Sequence, residues 1–213
     1  MKIVYYIASI LMMACVATGS SAQTVADAWS NMPLHITPSI GKNARLDMID
    51  LYNAGMKAKA PTLTGDTACL TTLSDTYLLL RTSKASTLQV KQIKDGKTHL
   101  YAIITTIEGP VANSHIDLYD EKWHPIVLKK HFTPITVADF INLPKNKRKE
   151  HEALLKKIDL HTIQYTMCNE TNDIVATPSF LHTLDKEARK EIECHFKPQI
   201  ALLWKNKKWK ISK

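Results

Sequence analysis

Glycine is scarce in this chain, with six in 213 residues. A loop that cradles phosphate needs several glycines within a few positions, so that the backbone can close on the anion. No such cluster occurs. A Gly-x-Ser-x-Gly nucleophile elbow is also missing, since the only Gly-Ser pair is Gly19-Ser20. Nine histidines are present, yet none forms His-x-His or His-Glu-x-x-His: His151-Glu152 continues into Ala153-Leu154-Leu155. Neither a metal nor a cofactor is indicated. The four cysteines, Cys15, Cys69, Cys168 and Cys194, are too few for a disulfide framework. Cys194-His195 are neighbours in sequence, whereas a catalytic Cys and His normally come from distant segments. Small buried thiols are the expectation.

Long apolar runs are absent too, except at the start. Met1-Lys2 leads into the apolar stretch Ile3 to Val16, and Ser20-Ser21-Ala22 supplies the small residues that a leader peptidase needs. Residues 1–22 therefore read as a signal peptide cut after Ala22. A membrane span fits less well, because about 20 apolar residues are needed and the polar stretch from Thr18 to Ser21 interrupts them. Lipidation at Cys15 lacks a suitable lead-in, which here is Met12-Met13-Ala14. The expected product is exported, periplasmic or secreted, with no transmembrane span once the signal is removed. An exported protein meets little nucleic acid, so no nucleic-acid partner is expected.

What remains has the pattern of antiparallel strands. Thr76-Tyr77-Leu78-Leu79-Leu80-Arg81, Leu88-Gln89-Val90, Leu100-Tyr101-Ala102-Ile103-Ile104 and Ile116-Asp117-Leu118-Tyr119 are short runs separated by turn residues. Asp95-Gly96 suits the two central positions of a hairpin turn. Leu100 to Ile107 is apolar on both alternating faces, which assigns it to the middle of a sheet. Ahead of these strands, Val25 to Trp29 forms a short helix. A second helix starts at Asn43 as N-cap, carries Leu46, Ile49, Met48, Leu51 and Tyr52 on its apolar face, and stops at Gly55. Ala68 to Leu73 reads as a further strand after the Thr64-Gly65-Asp66 turn.

Beyond Pro125 the pattern begins again. Thr136-Val137-Ala138-Asp139 has the form of a capping box opening a short helix. A longer helix spans about Lys147 to Ile158, and another about Asp185 to Phe196 with Leu184, Ala188, Ile192 and Phe196 as its stripe. Thr162 to Cys168 and Ile174 to Thr177 are strands, and Ile200 to Trp204 with Lys208 to Ile211 closes a hairpin. An offset of 86 positions superposes Thr76–Leu80 on Thr162–Thr166, Leu88 on Ile174, Ile116 and Leu118 on Leu202 and Trp204, and Trp123 on Trp209. It fails where Leu100 to Ile107 meets Lys186 to Glu193. An internal repeat and chance agreement between two β-rich segments both remain open. The fold class is α+β, antiparallel sheets packed by helices. Two lobes are expected, residues 23–126 and 127–213, and a genuine repeat would make them tandem helix-pair-plus-sheet units.

Ala26 to Trp29, Arg45 to Tyr52, Ser74 to Leu78, Ser86 to Leu88, Tyr119 to Trp123 and Leu184 to Lys190 together resemble the exported bacterial proteins grouped as domain of unknown function 3256. The resemblance spans nearly the whole mature chain and implies no catalytic residues. In architecture alone, the helix-pair-plus-sheet unit is similar to the tandem units of β-lactamase inhibitor proteins, and architecture does not confer function.

Charge supplies the one functional direction. Residues 23–126 hold 10 Lys and Arg against 10 Asp and Glu, while residues 127–213 hold 17 against 10. Lys205, Lys207, Lys208 and Lys210 surround the last hairpin, where alternation turns Trp204 inward and lysines outward. Lys145, Lys147, Arg148 and Lys149 are a second basic group. Asp117, Asp120 and Glu121 cluster near Trp123, where turn chemistry and solvent exposure account for them. The function expected is that of a non-enzymatic envelope protein binding a protein or an anionic surface through these lysines. The alternative is a hydrolase whose active site is assembled only by the fold.

Overall fold

The computed structural model describes residues 23–144 and 146–212, so the expected signal peptide and Lys145 lie outside the described residues. Thr24 and Asp27 cap each other's backbone N–H groups and open helix α1, Val25–Ser30. Helix α2, Lys42–Asn53, has Gly41 as its N-cap, and Asn43 sits inside the first turn. The cap needs only an extended residue whose carbonyl accepts the first helical N–H, and Gly41 accepts from Arg45 at 3.1 Å. The helix stops as expected at Gly55, with φ +70°. Gly55 N–H donates to the Tyr52 carbonyl and Met56 N–H to that of Leu51, the pairing that closes a helix on a left-handed residue.

The buried face of α2 is rotated from the one expected: Arg45 and Met48 are buried, whereas Leu46 is 40 % exposed. The Arg45 guanidinium explains the rotation. It donates to the carbonyls of Ile40 at 3.0 Å, Trp29 at 2.9 Å, and Met32. One charged fork thereby ties α2 to the end of α1 and the loop between them. Burial lowers its pKa, although the group stays charged.

Six strands follow as an antiparallel meander: β1 Lys59–Pro61, β2 Thr67–Leu73, β3 Tyr77–Ser83, β4 Ser86–Asp95, β5 Thr98–Ile107 and β6 Asn113–Asp120. The β4–β5 hairpin pairs Asp95 with Thr98, so its central residues are Gly96 and Lys97 rather than Asp95 and Gly96. Only Gly96 has positive φ, +65°, which asks glycine of the first central position alone. β5 lies between β4 and β6, apolar on both faces as its composition requires. Tyr101 and Ile103 pack with Trp29, Met48, Leu78 and Val90 under the helices. Leu100, Ala102 and Ile104 face the other way, toward a second sheet.

That sheet has four antiparallel strands in the order β10-β9-β8-β7: β7 Ile163–Met167, β8 Ile174–Pro178, β9 Ile200–Lys205 and β10 Lys208–Ile211. The Thr136 capping box forms, but around a 3₁₀ turn, Val137–Phe140. Helix α3, Arg148–Lys156, and helix α4, Lys186–Glu193, supply Leu154 and Ile192 to the same core as Phe140, Phe180 and Phe196. Helices α1 and α2, the six-stranded sheet and the four-stranded sheet are thus stacked layers, and one apolar cluster runs from Ala102 and Ile116 into Tyr165, Ala176 and Leu202. The 86-residue offset lays β7, β8 and β9 over β3, β4 and β6, and sets α4 against β5.

The edges of both sheets are closed by local means. β1 is three residues long and ends on Pro61, which has no N–H, and Lys59 N–H turns back to the Lys57 carbonyl. Beyond β6, Ile126 N–H donates to Leu118. Beside β10, Trp209 N–H donates to His131. At β7 the partners are side chains. Ile163, Tyr165 and Met167 N–H groups donate to Asn113 Oδ1 at 3.4 Å, Ser114 Oγ at 3.0 Å and Gln89 Oε1 at 2.8 Å. Gln89 Nε2 in turn donates to the Tyr165 carbonyl at 3.2 Å. The buried Gln89 carboxamide stands in for a peptide unit of a neighbouring strand.

Candidate binding surface

Several concavities open on the surface of the described residues. One of about 610 Å³ is lined by Asn146 to Glu150 and Glu152, a single stretch of chain at the start of α3. Four of its five charges are internally paired, Lys147 with Glu150 at 2.9 Å and Arg148 with Glu152 at 3.0 Å, which leaves Lys149. A groove of about 530 Å³ between α2 and β1 carries Asp47 and Asp50. Both carboxylates stand on the same helix wall, an arrangement unlike the opposed pair that flanks a bond in acid–base hydrolysis. Among the described residues, no group of three or more His, Cys, Asp or Glu side chains is placed to hold a metal ion. The acidic cluster near Trp123 is turn chemistry: Asp120 accepts from Lys122 and His124 N–H groups, both at 2.8 Å, and meets the His124 ring at 3.0 Å.

None of Cys69, Cys168 and Cys194 is in a disulfide, and they are less buried than expected, the first two half-buried and the third exposed. Cys168 has the most distinctive surroundings. The Thr171 hydroxyl, followed by the Thr171 and Glu170 N–H groups, holds its thiol below the usual range. The neighbouring Lys91 amine is buried and donates to the Asn169 carbonyl at 2.6 Å and to Thr76 Oγ1 at 3.1 Å. Burial lowers its pKa, and Cys168 opposes that shift. Tyr77 beside it is pushed up to about 12, chiefly by burial. Its hydroxyl donates to Gln89 Oε1 at 3.2 Å. With Gln89, Lys91 continues the row of polar groups that receives β7 and the turn after it, and this seam joins the sheets.

The four-stranded sheet has a second face. Register places Ile174, Ala176, Ile200, Leu202, Trp204 and Trp209 on the core side. Alternate residues face outward: Gln164, Thr166, Val175, Thr177, Ala201 and Leu203. These are half-buried or exposed, and Val175, Ala201 and Leu203 pack into neither core cluster. Partial burial is what neighbouring side chains produce on an uncovered sheet face.

All four lysines predicted to form a site are exposed, and the structure divides them. Lys205 pairs across the hairpin with Lys208, and Lys210 with Leu203, so three lysines rim the outward face while Trp204 and Trp209 meet on the core side with ring centroids 4.4 Å apart. Lys207 belongs to the turn. Asn206 and Lys207 have φ of +52° and +61°, and the Lys207 amine reaches Asp95 at 2.5 Å. His131 Nδ1 donates to the Lys207 carbonyl at 2.8 Å. Lys207 is therefore engaged in fastening one hairpin tip to the other. Alternation in Ile174–Thr177 and Ile200–Trp204 separates the two faces by sequence alone, but which face is covered depends on the other sheet.

Among the described residues, no helix is long and apolar enough to cross a membrane. A search of the curated proteins finds no match. Among solved structures, the chain is similar to a domain of an uncharacterized protein from Porphyromonas gingivalis W83. The TM-score is 0.77 at 19 % identity, covering 88 % of this chain and 98 % of that one, a likeness of fold. A family model described as a protein of unknown function (DUF3256) matches residues 17–209, and the chain belongs to that family.

Proposed function

We propose that the protein is an exported, non-enzymatic envelope protein that binds an anionic partner on the outward face of its four-stranded sheet. One observation carries this reading: Lys205, Lys208 and Lys210 rim a partly apolar sheet face and have no carboxylate partner among the described residues. Lysine stems can lie along Leu203 while the ammonium groups stay in water. Thr166, Thr177 and Gln164 add hydrogen-bonding groups suited to headgroups or sugars.

A lysine close to an anionic surface contributes about 1 kcal/mol, and each 1.4 kcal/mol is tenfold in affinity, so three lysines supply roughly 100-fold at low salt. Screening removes most of it near physiological ionic strength. The test compares retention on anionic lipid vesicles and on an anionic polysaccharide. A Lys205/Lys208/Lys210→Gln variant is expected to lose roughly 100-fold in retention at low salt on at least one of the surfaces, with Lys207→Gln much closer to wild type. Equal retention of the triple variant and wild type on both surfaces would leave these lysines with a solubilising role only.

A further inference from the structure

A concavity of about 450 Å³ opens beside the first described residue, and Gln23, Asp75, Thr76, Gln92 and Lys94 are among its lining. Gln92, on β4, is 5 % exposed. Its Nε2 donates to the Gln23 carbonyl at 2.8 Å, while its buried Oε1 has no partner among the described residues. A buried amide oxygen without a donor is costly enough that an N–H group is expected opposite it. The Asp75 side chain, exposed on the same wall, is a second acceptor, and its backbone carbonyl accepts from Val25 N–H at 2.9 Å, holding the chain in place. Gln92 and Asp75 thus place two acceptors in the lining that Gln23 shares, a setting that can hold an ammonium group beside Lys94.

We propose that the occupant is the α-ammonium group of Gln23 itself, exposed when a leader peptidase hydrolyses the Ala22–Gln23 amide. Water supplies the hydroxyl that leaves Ala22 as a carboxylate and the proton that leaves Gln23 with an amine, which then takes up a second proton. The inference rests on the cleavage site read from Ser20-Ser21-Ala22. The chain's own amine is favoured over a free ligand because Gln92 already grips the same residue through its carbonyl. The α-nitrogen is therefore delivered to the cavity without loss of translational freedom.

A seated ammonium has a chemical consequence. A free N-terminal glutamine cyclises: its neutral amine forms a bond to its own Cδ, the Cδ–Nε2 bond breaks and ammonia leaves. Protonation and anchoring of the amine oppose that attack. Intact mass of the exported protein is expected to show a chain starting at Gln23 with its side-chain amide retained. Ammonia loss should be about tenfold or more slower in the native protein than in urea, the factor one charge-assisted hydrogen bond supplies. Gln92→Met, checked for native structure by near-ultraviolet circular dichroism, should abolish most of that protection. Asp75→Asn, a surface change that leaves the fold intact, should weaken it and decides the matter if Gln92→Met does not fold. A different first residue, equal rates in native buffer and urea, or full protection in a folded Gln92→Met or in Asp75→Asn would each overturn the proposal.

Discussion

Arg45 shows how much one side chain organises around itself. The three carbonyls to which it donates belong to Trp29 at the end of α1, to Met32 in the α1–α2 loop and to Ile40, two residues before α2, and no carboxylate shares the site among the described residues. A lysine can enter the same space but presents a single nitrogen, so it cannot satisfy acceptors spread around a planar fork. Arg45→Lys is therefore expected to destabilise the protein by about 2–4 kcal/mol, close to one or two lost buried bonds to a charged group. Urea titration followed by tryptophan emission measures it, and an unchanged midpoint would remove Arg45 from this role. Nothing in the local pattern marks Arg45. It sits in a helix between Ala44 and Leu46, and the spacing of apolar residues assigns Leu46 to the buried face. Only the carbonyls, delivered from up to 16 positions earlier, make the arginine face the better one to bury.

At the scale of elements, the seam along β7 decides how the two sheets meet. Gln89 pairs with Tyr165, Met167 and the Tyr77 hydroxyl, so Gln89→Leu leaves a buried carbonyl, a buried N–H and that hydroxyl unanswered while filling much the same volume. The expected loss is about 2–5 kcal/mol. Hydrogen exchange should show the Met167 amide opening far faster than amides in β5, and equal protection of Met167 in both proteins would contradict the seam. The strands themselves were legible from sequence: β2 to β10 fall close to the alternating runs, and both faces of β5 declare their burial through composition. Gln89 and Lys91 were not legible as buried groups. Alternation sets them opposite Leu88 and Val90, and an exposed sheet face would give the same letters. A turn could also mislead by one position, because Asp95-Gly96 and Gly96-Lys97 share the glycine that the bend requires.

For the whole molecule, the arrangement of cores outweighs the division of the chain. One apolar cluster contains Ile104 and Leu118 together with Tyr165, Leu202 and Trp209, so separating residues 23–126 from 127–213 would expose both sides of it. The protein is accordingly expected to unfold in a single transition, with circular dichroism and tryptophan emission giving coincident curves in urea. Two resolved steps would show that each part stands on its own. The candidate surface was half legible at this scale. The lysines and their outward direction follow from alternation around Trp204 and Trp209, whereas the engagement of Lys207 with Asp95 and the open face formed by Val175, Thr177 and Leu203 need the layers to be assembled first.

The closed sheet edges also bear on life in a crowded compartment. A proline-ended strand, two bordering chain segments and a row of side chains leave the described strands with few backbone groups to offer a neighbour. Fibre growth by strand addition and exchange of strands between copies both begin from such groups. When many copies gather on one surface, they can therefore meet face to face or side by side through side chains, with little in the described edges to template a continuous ribbon. If the protein coats an anionic partner as proposed, dense coverage is then compatible with each copy staying a separable, reversible unit.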